Sequence, residues 1–169
     1  SRKDLGPDLA AIERAITPRT KAVIAIDQFG VPAEIPALRA LCPADVAIVE
    51  DAACALGSSL DGVPCGLLGD LSTFSFHPRK VITTGEGGMV VTRDARCAAR
   101  LRTLRNHGQR TPGDFERAGP NARMPETQAA LGVAQMVKLD DILSRRRALA
   151  ETLRSAVPLA WQGAPAGAT

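Results

Sequence analysis

The sequence predicts an α/β fold, a mostly parallel sheet flanked by helices, and three observations carry that reading. Val46-Ala47-Ile48-Val49 is a continuous apolar run that stops at Glu50-Asp51, the pattern of a parallel strand buried on both faces and ending in polar residues. Lys21 to Ile26 is a second such run. Between them, Pro32 and Glu34 lead into a stretch with apolar residues at helical spacing through Leu38 and Leu41. Strand, helix, strand in that order make a β-α-β unit, with both strands in one parallel sheet and a right-handed crossover.

The remaining elements follow in order. Asp8 to Ile16 carries apolar residues at helical spacing, and the first strand ends at Asp27-Gln28-Phe29-Gly30. Asp61-Gly62 marks a turn, Leu71 to Phe76 a third strand, and Gly88 to Thr92 a fourth, entered through a turn of Gly85, Gly87 and Gly88. Asp94 is placed to cap a helix that runs through Ala98, Leu101, Leu104 and Arg105. Gly108 to Gly119 holds Thr111-Pro112-Gly113 and a charged stretch from Asp114 to Arg117, so a mobile loop is expected there. A helix apolar on one side is expected from Pro125 through Val137, and a longer one from Lys138 to Leu153, broken before Pro158. No internal repeat is visible, and the one compositionally biased segment is the Gly/Ala/Pro-rich tail from Gly163.

Composition narrows the function classes. The 169 residues suffice for one domain with a core, and 45% hydrophobic with 23% charged residues is a globular composition. No apolar run approaches the ~20 residues of a membrane span, and no signal-peptide pattern opens the chain, so a cytoplasmic protein without membrane partners is expected. Arginines cluster at 100, 102 and 105 and again at 145–147, but a net charge of +3 and 3% aromatics fit solvated helix faces better than nucleic-acid binding. Cys42, Cys54, Cys65 and Cys97 match no paired zinc-ligand spacing and read as reduced thiols, with no metal site. The glycines at 85–88 lack the Lys-Ser/Thr ending of a P-loop, and Ser75 lacks the glycine flanks of a hydrolase nucleophile.

Chemistry concentrates at two places. Lys80, in Phe74-Ser75-Phe76-His77-Pro78-Arg79-Lys80, lies after an apolar strand and before Thr83-Thr84-Gly85-Glu86-Gly87-Gly88, so its amine is either imine-forming or a surface lysine. Asp51 stands at the carboxyl end of a strand, where open α/β sheets bind ligands; its other reading is the cap of a short helix from Ala52. The chain between them is long enough to return to the same sheet edge, where an acid and a lysine would face one aromatic cofactor. His77 is either a loop contact that orients Lys80 or a packed imidazole.

Four ordered strings then give a resemblance. Glu50-Asp51-Ala52-Ala53-Cys54-Ala55-Leu56-Gly57, Phe74 to Lys80 with Gly85-Glu86-Gly87-Gly88, Leu104-Arg105-Asn106-His107-Gly108, and Gly119 to Ala130 resemble the DegT/DnrJ/EryC1/StrS aminotransferases. The resemblance implies the central part of the large domain of a fold-type-I pyridoxal-phosphate enzyme. Residues 1–157 would belong to that cofactor-binding domain, and 158–169 would begin the connection to a C-terminal domain. It also implies a longer protein, with this stretch inactive alone.

By the same resemblance the enzyme is a homodimer with shared active sites that moves an amino group, from glutamate, to a nucleotide-linked keto sugar. Lys80 would hold pyridoxal 5'-phosphate and serve as catalytic base, Asp51 would face the pyridine nitrogen, Ser75 would donate to the phosphate, and Asn121 would reach the partner's cofactor phosphate. Glu50 is left structural. Cys54 takes a cofactor-contacting position that in many relatives is Gln or His, Pro120 replaces a usual aromatic residue, and Asp27-Gln28 replaces a histidine-led pattern. The alternatives are a non-catalytic relative that keeps the fold, or a cyclic-ketone aminotransferase. Family dehydratases carry histidine in place of the lysine, and Lys80 speaks against that branch.

Overall fold

A computed structural model describes residues 6–158 and Gly167. In chain order its elements are α1 (Leu9–Ala15), β1 (Ala22–Ile26), α2 (Ile35–Leu41), β2 (Ala47–Asp51), β3 (Ser59–Leu60), β4 (Val63–Pro64), β5 (Leu71–Ser75), β6 (Gly88–Val91), α3 (Ala95–Arg105), β7 (Gln109–Thr111), β8 (Asp114–Phe115), α4 (Glu126–Met136) and α5 (Leu139–Ala156). Local chemistry sets several boundaries. Asp8 accepts the Ala11 N–H at 3.0 Å and opens α1, and Asp94 accepts the Arg96 N–H at 2.8 Å and opens α3, as its sequence position predicts. Pro36 sits in the first turn of α2, where its missing N–H costs no helical bond.

The main sheet has the order β1-β2-β5-β6. β1 and β2 pair in parallel from Ala22–Ala47 to Ile26–Asp51, and β2 pairs in parallel with β5 from Val49–Leu71 to Asp51–Thr73. The α/β class and the β-α-β unit therefore stand. β6 is antiparallel to β5, with Phe74 opposite Met89 and Ser75 opposite Gly88. The connection between β5 and β6 contains turns and no helix, and so short a return joins neighbouring antiparallel strands rather than parallel ones.

The core lies between β1, β2 and the helices α1 and α2. Ala25, Ala33, Ile35, Leu38, Cys42, Val46 and Ile48 form one buried cluster, backed by Leu9, Ile12, Ile16, Val23 and Leu68. Each fully buried Ile or Leu in it contributes on the order of 1.5–3 kcal/mol. The apolar runs of β1 and β2 predict burial on both faces, and the structure corrects this for β1. Ala25 is buried while Ile24 is 66% and Ile26 51% exposed, because α1 and α2 cover one face only.

Two further outcomes are local, one as expected and one a correction. Asp61 and Gly62 do form a turn, both with positive φ, and it closes the antiparallel pair β3-β4. The segment expected as a mobile loop after α3 is instead the β7-β8 hairpin, braced on Gly108. Gly108 has φ 75°, and a Cβ there would lie 1.6 Å from the Arg117 carbonyl oxygen. Its N–H donates to the Thr103 carbonyl at 3.0 Å, and its own carbonyl accepts from Glu116 N at 2.9 Å. Chain packed this closely on itself has its backbone groups paired and does not behave as a free loop. No described helix is long and apolar enough to cross a membrane.

Candidate active site

The site is built at the carboxyl ends of β2 and β5. Asp51 is the last residue of β2 and half-buried, and its main chain is tied to β1 by the Asp27 N–H at 3.0 Å. Its Oδ1 accepts the Ala53 N–H at 3.1 Å, leaving Oδ2 outside that bond. This is the capping geometry without the helix: residues 53–54 make a turn, so the carboxylate ends the strand and faces the sheet edge. Asp51 pairs with Thr73 in register, which brings Ser75, two residues further along the parallel strand, to the same edge.

Lys80 follows on a loop pinned at its base. Phe76 N donates to Gly87 O at 2.9 Å, Thr84 N donates to Phe76 O at 3.0 Å, and Thr83 Oγ1 donates to the same carbonyl at 2.8 Å. Inside the loop, Ser75 Oγ accepts the His77 N–H at 3.3 Å, His77 Nδ1 accepts the Arg79 N–H at 3.2 Å, and the His77 carbonyl accepts the Lys80 N–H at 2.9 Å. The His77 ring is therefore a loop contact at Arg79, while the bond to the Lys80 N–H is made by the main-chain carbonyl of residue 77. The half-buried Lys80 amine reaches back across the strand ends and donates to Cys54 Sγ at 3.0 Å.

Beneath this surface lies a polar knot that the sequence marks only in part. Glu50 is fully buried and accepts from Gly66 N at 2.7 Å, Leu68 N at 3.1 Å, Gly69 N at 3.2 Å and Ser72 Oγ at 2.6 Å. It is structural, as the resemblance implies, tying the 66–69 segment and β5 to β2. Asp27, also fully buried, accepts the Ala33 N–H at 2.8 Å on Oδ1, while Oδ2 has no hydrogen-bond partner among the described residues. Oxygens of Asp27 and Glu50 and the Cys65 sulfur lie within 4.8 Å of one another. Burial raises the Asp27 pKa to about 7, opposed by the Ala33 N–H and aided by the charge of Glu50. The Cys65 thiol is likewise pushed up by burial, then by the two carboxyl groups.

Asn121 belongs to a different part of the surface. It is exposed, bridged to Asn106 beside the β7-β8 hairpin, and its Oδ1 accepts the Arg123 N–H at 3.4 Å. Residues that sequence reasoning missed hold the Lys80 loop from the other side. Gln135 of α4 accepts the Thr83 N–H at 3.1 Å and donates to the Thr83 carbonyl at 2.5 Å. The available signal was a lone amide in the apolar run Leu131 to Val137. α5 docks close by: Leu143 is buried against Gly57, where a Cβ would lie 2.4 Å from Leu143 Cδ1, and Arg147 donates to the Gly57 carbonyl at 3.2 Å.

A mostly parallel sheet with a lysine, an acid and a hydroxyl gathered at its strand ends defines a class, an α/β protein with a ligand site at the carboxyl edge. The sequence model of the DegT/DnrJ/EryC1/StrS aminotransferase family matches residues 1–160, and the chain belongs to that family. It is 37% identical over 174 residues to the dTDP-4-dehydro-2,3,6-trideoxy-D-glucose 4-aminotransferase of Saccharopolyspora spinosa, covering 92% of this chain and 45% of that protein. Among solved structures, DesV of S. venezuelae in complex with a ketimine intermediate superposes with a TM-score of 0.82 at 43% identity, over 90% of this chain and 42% of that one. The E. coli GDP-4-keto-6-deoxy-D-mannose-3-dehydratase with bound hydrated PLP gives 0.81 at 27% identity, over 89% and 44%. The chain thus spans less than half the length of the relatives it matches.

Proposed function

We propose that the protein containing this chain is a pyridoxal-phosphate-dependent aminotransferase that moves an amino group, from glutamate, to a nucleotide-linked keto sugar. The observation that carries the reading is the Lys80 amine, held on a loop pinned at both ends and directed over the strand ends that present Asp51 and Ser75. Membership of the family and relatives that act on dTDP-linked sugars support the substrate class. Retention of lysine at position 80 favours transamination over the histidine-bearing dehydratase branch.

The residues present fit the cofactor. Lys80 supplies an amine on a flexible stem within the site, Asp51 a half-buried carboxylate with Oδ2 left over, and Ser75 a hydroxyl whose oxygen accepts from His77 and whose hydrogen remains to donate. When bound, pyridoxal phosphate supplies an aldehyde to hold amines and a protonated ring to receive electrons. Lys80 would hold that aldehyde and, when its amine is free, would take and return the substrate proton through Nζ. The Asp51 carboxylate would favour a proton on the ring nitrogen by supplying a negative charge. Ser75 would donate to the phosphate. The exposed position of Asn121 suits a residue that reaches the partner subunit's cofactor in a homodimer.

Visible absorption of the full-length protein with pyridoxal phosphate, beside Lys80→Ala, tests the reading. A band that requires Lys80 and shifts on adding glutamate is expected. A protein with no Lys80-dependent band would instead be a relative that keeps the fold for binding alone.

A further inference from the structure

Cys54 is the thiol in this chain that stands against an amine. Of the four free cysteines, Cys42 and Cys65 are buried, whereas Cys54 and Cys97 are partly exposed. Among the described residues only Cys54 receives a hydrogen bond from a lysine, with Lys80 Nζ at 3.0 Å from its sulfur. The two residues lie on separate connections, one after β2 and one after β5, whose strands are locked in register by the parallel pairing and by the Glu50–Ser72 bond. The base of the Lys80 loop is tied by Phe76, Thr83, Thr84 and Gln135. The contact is therefore set by rigid elements on both sides, and the four-carbon lysine stem supplies the further approach that bonding needs.

We propose that Cys54 and Lys80 form a reversible, peroxide-driven sulfur–nitrogen link, a modification site that caps the amine whenever it is free. In the first step the Cys54 sulfur attacks a peroxide oxygen. The O–O bond breaks, water leaves, and a sulfenic acid remains, with sulfur oxidised by two electrons and peroxide reduced. In the second step the neutral Lys80 amine attacks that sulfur. The S–N bond forms, the S–O bond breaks, and the departing hydroxyl carries off one amine proton as a second water. Sulfenic acids condense with nitrogen nucleophiles in this way, and here the nucleophile is already in contact. A dithiol reductant reverses the link by becoming a disulfide and returning thiol and amine. That the capped amine is the cofactor-holding one rests on the function proposed above; the link itself rests on the Cys54–Lys80 contact.

The test uses cofactor-stripped full-length protein, treated with hydrogen peroxide, alkylated and mapped by peptide mass spectrometry. The expected product is a cross-linked pair of peptides carrying Cys54 and Lys80, lighter than their sum by two hydrogens, lost on reduction and absent from Cys54→Ser and Lys80→Arg. Oxidation of Cys54 to sulfinic or sulfonic acid with the Lys80 peptide unchanged overturns the proposal. So does pairing of Cys54 with another cysteine. A second readout is cofactor loading. Peroxide should abolish the Lys80-dependent absorbance band on adding pyridoxal phosphate, reductant should restore it, and Cys54→Ser should keep whatever band it has. If the link forms while the untreated protein shows no such band, the aminotransferase reading fails and the link stands.

Discussion

Asp27 shows how one residue's charge is decided by its surroundings. Among the described residues its buried Oδ2 has no hydrogen-bond partner, and it lies close to a Glu50 whose oxygens accept from four groups. A neutral Asp27, with its proton on Oδ2 and turned toward Glu50, satisfies both carboxyl groups at the cost of no second buried charge. With its pKa raised to about 7, folded Asp27 binds a proton that the unfolded chain has already released above the ordinary carboxylate range. Its contribution to stability is therefore full at acid pH and lost as pH rises through that window. Asp27→Asn, which keeps the acceptor for Ala33 and replaces the proton with an amide donor, should flatten this dependence and melt above the wild type at mildly alkaline pH. Thermal melts across the range would show it, and parallel pH profiles for the two proteins would contradict it. Nothing near Asp27 in the sequence announces this, since Glu50 and Cys65 reach it only through folding.

At the scale of elements, the reading of helices and strands rested on periodicity and caps, and those signals are local. Asp94 caps where expected, Asp8 caps α1 as well, and α2, β2, β5 and α4 lie where their apolar spacing puts them. The stretch after α3 reads as loop because Pro112, Gly113 and the charged stretch from Asp114 to Arg117 look like irregular chain. It folds as β7-β8 because Gly108 and Gly119 allow the backbone to close on itself, with Gly119 so near Gly108 N that a Cβ there would stand 2.5 Å away. The contribution of α4 to the Lys80 loop was equally hidden, since Gln135 meets Thr83 from far along the chain. Gln135→Ala should leave the Thr83 N–H and C=O without their partner, costing about 1–3 kcal/mol. It should also speed amide exchange at Thr83 and its loop neighbours before any change in the β1-β2 core. Hydrogen exchange unchanged at Thr83 would mean that α4 does not hold the loop.

For the whole molecule, the informative feature is the uncovered face of β1. Ile24 and Ile26 are exposed on a strand whose apolar run is that of a doubly covered parallel sheet. The relatives this chain matches are more than twice its length, enough to cover that face. We expect an Ile24→Cys substitution in the full-length protein to alkylate no faster than buried Cys42. Rapid labelling of position 24 would show the face to be open in the intact protein too. The α/β class, the β-α-β unit and the order of the larger elements were legible in the sequence alone, because strand and helix periods are properties of neighbouring residues, and its short motifs offered Asp51, Ser75 and Lys80 as candidates. Only the tertiary structure decided that β6 runs antiparallel, that Asp27, Glu50 and Cys65 share one buried knot, and that Cys54 meets the Lys80 amine. Those contacts join residues far apart in the chain, and strand register rather than local preference brings them together.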